Sequence, residues 1–158
     1  MKPLCCLLLA LAAATAHAVD MTPAAEPEAA APIDKLAGAR KQIAAKRWAD
    51  AIAELKRGND SGSADWNNLM GYALRKQAVP DLAAAERHYE AALRIAPTHR
   101  GALEYAGELH LMKGELDKAE QRAAQLARVC AAGCEELSDL KKAIERYRAV
   151  GNKFVAAR

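Results

Sequence analysis

Three large apolar residues, Trp48, Leu82 and Leu116, recur 34 positions apart, and three residues after each stands an alanine, Ala51, Ala85 or Ala119, on the same interval. Such a period constrains the fold more than any local propensity, because it means that one supersecondary unit is used repeatedly. Four residues beyond each alanine come Leu55, Tyr89 and Ala123, and seven beyond come Gly58, Ala92 and Leu126. These offsets fall on one helical face. Aligned alanines alone would be weak in so alanine-rich a chain, and an irregular helical bundle is the alternative. The large residues sharing the register favour a repeat.

A second pattern precedes the last two of these helices. It reads Trp66-Asn67-Asn68-Leu69-Met70-Gly71-Tyr72 before one and Leu103-Glu104-Tyr105-Ala106-Gly107 before the other. A glycine inside a helix costs about 1 kcal/mol relative to alanine, so Gly71 and Gly107 point to close helix packing. Gly114 suits the left-handed backbone of a tight turn between two helices, and Pro97 ends the middle unit. The patterns predict helices over about 33–46, 49–58, 64–76, 81–95, 99–113 and 116–130, and a last one over about 136–149. Ser138 is the expected N-cap of the last, with Leu140, Ile144 and Tyr147 on one face.

On these residues the chain resembles the tetratricopeptide repeat (TPR) family. They are the 34-residue period, Gly71 and Gly107 in first helices, the turn at Gly114, the alanines at 51, 85 and 119, and Pro97. The resemblance spans residues 33–131. Its first unit is degenerate, with Ala39 where a glycine is expected, and its second has a longer turn at Gln77-Ala78-Val79-Pro80-Asp81. The implied fold is all-α, a right-handed helical solenoid of about three helix-turn-helix repeats. Residues 132–158 leave the register and are expected to form a C-terminal capping helix and tail, since an open solenoid must cover its last apolar side.

The N-terminus reads as a secretory signal over residues 1–18. Lys2 gives the positive start, Leu4 to Ala14 the apolar run, and Ala16-His17-Ala18 the small-x-small cleavage site. The run is short of the roughly 20 residues that cross a bilayer. Cys5 and Cys6 would leave with it. Residues 19–32, rich in Ala, Pro and Glu, read as a disordered leader. A soluble periplasmic or secreted protein is expected, with no membrane span after processing. Cys130 and Cys134 then remain in an oxidising compartment, where a structural disulfide is the default. A redox-active pair, metal ligands and free thiols are the alternatives. Such a bridge would fix the angle of the last helix.

Composition excludes several functions. No phosphate-binding glycine loop, zinc-protease motif or nucleophile elbow occurs in the 158 residues, so no enzyme and no cofactor are expected. Removing Lys2 from 23 basic residues, and Asp20, Glu26 and Glu28 from 20 acidic ones, leaves 22 against 17, about +5 from residue 33 onward. That is too mild to indicate nucleic acid. His88, His99 and His110 are too dispersed for a local metal motif, so metal ligands are not assigned.

The resemblance implies that the first helices line a concave groove holding Asn68, Tyr72, Arg75, Lys76, Glu104, Glu108, Leu111 and Met112. There Asn68 would bond a peptide amide, Arg75 and Lys76 a carboxylate, and Tyr72 would offer a flat contact. The lysine and asparagine clamp of chaperone-tail-binding members is not reproduced. The expected function is a non-enzymatic protein-protein interaction scaffold of the bacterial cell envelope, binding a peptide or helix of a partner protein in the groove. The alternatives are a self-assembling structural subunit using its repeat edges, or a thiol- or metal-handling accessory protein. The packing residues of the repeat are Trp48, Ala51, Gly71, Leu82, Ala85, Tyr89, Gly107, Leu116 and Ala119.

Overall fold

The computed structural model describes residues 34–154. The expected signal segment and leader lie outside them. Among the described residues the chain is all-helical, with seven helices: α1 (Ala37–Ala44), α2 (Trp48–Gly58), α3 (Ala64–Lys76), α4 (Leu82–Ile95), α5 (Arg100–Met112), α6 (Leu116–Val129) and α7 (Glu135–Ala149). No helix among these residues is long and apolar enough to cross a membrane.

Local chemistry sets the helix ends. Ser63 Oγ accepts from Trp66 N at 3.2 Å and Asp81 Oδ1 from Ala84 N at 2.9 Å, capping α3 and α4. At α5 a histidine does this work: His99 Nδ1 accepts from Ala102 N at 3.1 Å. Between α5 and α6, Gly114 takes φ +79°, and Glu115 N donates to His110 O at 2.8 Å, closing the end of α5. Two expected boundaries shift. The first helix starts at Ala37 rather than residue 33, because Asp34 Oδ1 accepts from Leu36 N at 2.9 Å and holds a turn there. The last starts at Glu135, so Ser138 is not its N-cap. Gly133, at φ +90°, reverses the chain, extended Cys134 takes the N-cap position, and Glu135 and Glu136 complement the helix dipole.

Each helix packs on its chain neighbours. In addition α1 touches α3, α3 touches α5 and α5 touches α7, whereas α2, α4 and α6 do not touch one another among the described residues. The odd-numbered helices therefore form one layer and the even-numbered helices another. Ala51, Ala85 and Ala119 have zero exposure, as the 34-residue register requires of the closest contacts. The core follows the chain in three apolar clusters. Leu55, Trp66 and Met70 centre the first, Tyr89 and Leu109 the second, and Leu126, Leu140, Ile144 and Tyr147 the third.

The two mid-helix glycines mark the closest approaches. A Cβ on Gly71 would stand 2.8 Å from Tyr89 Cε1, and one on Gly107 would stand 2.6 Å from Leu140 Cδ2. Large side chains of the next helices occupy both notches. α7 covers α5 and α6 by placing Leu140 in the Gly107 notch and burying Leu137, Ile144 and Tyr147. Cys130 and Cys134 join the end of α6 to the start of α7 at disulfide-bonding distance, with Cα atoms 5.7 Å apart.

Candidate functional site

The most organised polar cluster lies on the odd-numbered layer, where α3 faces α5. Arg75 is its centre. One helical turn separates it from Gly71, so the Tyr89 ring that fills the glycine notch also brings its hydroxyl to Arg75 Nε, at 3.3 Å. Nη2 of the same guanidinium stands 2.7 Å from Glu108 Oε2 of α5, an ion pair rather than an aligned hydrogen bond. Nη1 reaches Met112 Sδ at 4.0 Å. The guanidinium carbon lies 5.6 Å from the Tyr72 ring centre and 5.5 Å from that of Tyr105. Burial opposes the charge, but Tyr89 and Glu108 outweigh it and hold the guanidinium protonated.

An aromatic row runs across this layer. Trp48 meets Tyr72 edge to face at 5.9 Å, and Tyr72 meets Tyr105 at 4.7 Å. All three are half-buried. Lys76 is exposed, its Nζ 5.9 Å from the Tyr72 ring centre. Beside the row stands Glu104. Desolvation first, then the charges of Glu108, Asp139 and Glu136, push its carboxyl up to about 8. Burial also raises Tyr105 and Tyr72, so both stay neutral phenols at physiological pH.

Six of the eight groove positions read from the sequence fall in or beside this cluster: Tyr72, Arg75, Lys76, Glu104, Glu108 and Met112. Arg75 does receive a carboxylate, but the chain's own. With 3% exposure its guanidinium is enclosed, whereas Lys76 beside it is exposed. Asn68 is buried, its Oδ1 without a hydrogen-bond partner, and Leu111 is a core residue beside α7. Sequence reasoning missed Tyr105, Glu136 and Asp139 as site residues. Tyr105 follows Tyr72 by nearly one repeat, a signal that could have found it. The two acids sit on α7, outside the register, so periodicity could not.

A second cluster lies where α4, α5 and α6 meet. A cavity of about 260 Å³ is lined by Glu86, Glu90, His110, Lys118, Gln121 and Arg122. Glu86, His110 and Glu115 bring potential ligand atoms within 4.8 Å of one another. Lys113 Nζ already stands there, 2.8 Å from Glu86 and 3.2 Å from Glu115, supplying the cation that a metal would. His110 is lowered by desolvation in spite of its 2.8 Å contact with Glu115. Slight burial opposes ionisation of Glu115, but hydrogen bonds from His110, Lys118 and Lys113 hold its carboxyl down to about 2. The cluster is a closed ionic network tying the turn at Gly114 to α4.

No known protein family matches the chain, and a search of curated proteins returned no match.

Proposed function

We propose that this protein is a non-enzymatic interaction scaffold of the cell envelope, a TPR-like right-handed solenoid that binds a peptide or helix of another protein across its odd-numbered layer. The observation that carries the reading is the half-buried row of Trp48, Tyr72 and Tyr105, its two tyrosines backed by the guanidinium of the Arg75–Glu108 pair. Tyrosine and tryptophan give large contact areas at low entropic cost. Their rigid backing lowers the ordering cost of association. A helix-pair stack with one layer of helices in mutual contact is the geometry that turns such a row toward a concave surface. Export is supported by the signal-like N-terminus and by the cysteine pair, which suits an oxidising compartment.

The test is affinity capture from a periplasmic extract with the tagged chain and with Tyr72→Ala. The expected result is a partner recovered by the parent and lost by a variant that remains helical. A partner held equally by both overturns the assignment of this layer.

A further inference from the structure

The aromatic row holds hydrogen-bond donors that the chain itself does not use. Among the described residues, Trp66 Nε1 donates to Leu55 O at 2.8 Å, and the Tyr89 hydroxyl meets Arg75 Nε at 3.3 Å. The indole N–H of Trp48 and the hydroxyls of Tyr72 and Tyr105 have no such partner there, and none of these three atoms is sealed from solvent. Tyrosine and tryptophan set into a fold usually direct the polar atom to an acceptor. Lys76 adds a fourth donor. Its exposed ammonium, 5.9 Å from the Tyr72 ring centre, forms no ion pair among the described residues. An indole and an ammonium only donate, and a phenol donates readily. The rings follow one another at 5.9 and 4.7 Å, so the four donors belong to one contiguous patch.

A chain rich in acceptors and poor in donors fits such a patch. An α-helix spends its carbonyls internally, and an ordinary extended strand brings an N–H with every C=O. A polyproline II segment makes no internal hydrogen bonds, and each proline lacks the N–H, so its carbonyls stay free beside compact apolar rings. Such segments dock on aromatic surfaces at low ordering cost, because their backbone is already extended. We propose that the partner is a proline-rich extended segment whose rings pack on Trp48, Tyr72 and Tyr105, whose carbonyls accept from their N–H and O–H groups, and whose acidic residue pairs with Lys76. The acid answers the charge of Lys76, since Arg75 one residue before it is already held by Glu108. The inference rests on the reading of this layer as the binding face, and between a peptide and a helix it selects the extended peptide.

The experiment is an NMR titration of the isotopically labelled chain with capped peptides made of repeated Pro-Pro-Glu, Pro-Pro-Lys or Gly-Ser-Glu, and with an alanine-based helical peptide of the same negative charge. The Pro-Pro-Glu peptide should bind most tightly. It should move the Trp48 indole N–H resonance downfield and leave that of Trp66, already bonded to Leu55, in place. Tyr72→Phe and Tyr105→Phe keep the ring and remove one donor, so each should weaken binding about threefold to tenfold while circular dichroism shows an unchanged fold. Lys76→Gln should erase the preference for Pro-Pro-Glu over Pro-Pro-Lys, whereas Lys56→Gln, exposed on α2, should preserve it. Failure of the Pro-Pro-Glu peptide to bind, equal binding of the Gly-Ser-Glu peptide, or unchanged affinity in both phenylalanine variants would overturn the proposal. If only the helical peptide bound and Tyr72→Ala abolished it, the binding face would stand and the preference for a proline-rich segment would fall. If the Pro-Pro-Glu peptide bound Tyr72→Ala as tightly as the parent, both readings would fall.

Discussion

Arg75 Nη2 and Glu108 Oε2 meet 2.7 Å apart across α3 and α5, and the arginine retains 3% of its exposure. With the Tyr89 hydroxyl reaching the same guanidinium, three helices are joined at one charge. Such a pair is costly to break because a lone charge stays buried, whereas replacing both partners with apolar groups is often neutral.

Arg75→Met should therefore destabilise by about 3 kcal/mol, while Arg75→Met with Glu108→Leu should recover most of that loss. A double-mutant cycle by urea unfolding measures the coupling. Additive losses would mean that the two charges do not depend on each other.

Gly71→Ala and Gly107→Ala should each destabilise by roughly 1–3 kcal/mol, since a methyl group at either site collides with Tyr89 or Leu140. Gly58→Ala meets nothing within 4 Å and should stabilise α2, by up to about 1 kcal/mol. Chemical denaturation of the three variants distinguishes packing from propensity. A stabilised Gly107→Ala would show that Leu140 does not occupy the notch.

The raised Glu104 carboxyl makes stability depend on pH. Its folded value of about 8 lies above the ordinary value of 4.5, so the folded state holds the extra proton between these limits. Its contribution is therefore full below pH 4.5 and is lost as pH rises toward 8, by about 1–2 kcal/mol once partial exposure is discounted. Glu104→Gln should flatten that part of the profile. Thermal unfolding of both proteins between pH 5 and 9 checks the sign, and parallel profiles would remove Glu104 as the source.

Replacing Cys130 and Cys134 with serine should cost about 2 kcal/mol, the chain-entropy value for so short a loop. The loss of hydrogen-exchange protection should begin in the first turns of α7 and spare α2 and α3, which the bridge does not touch. Uniform loss of protection would mean that α7 is not a separately released element.

The sequence by itself determined where the chain is helical and which helix faces are buried. Burial leaves a periodic mark: residues that must be small recur every 34 positions, and Ala51, Ala85 and Ala119 are fully enclosed. Gly71 and Gly107 were legible as close contacts for the same reason, since each accepts a propensity penalty that only packing offsets. Polar residues carry no such mark. Whether Arg75 faced solvent or an internal carboxylate depended on Glu108, placed opposite it only when α3 met α5. Tyr89 supplied the second contact by filling the Gly71 notch. Asp65 and His99, 34 residues apart, met at 3.0 Å in the same manner. The acids beside Glu104 came from α7, which lies outside the repeat, and its start moved to Glu135 because the turn at Gly133 set the chain direction. Tertiary structure decided these points because a side chain's partner is fixed by distance in space, whereas a repeat reports only which side of a helix must be dry.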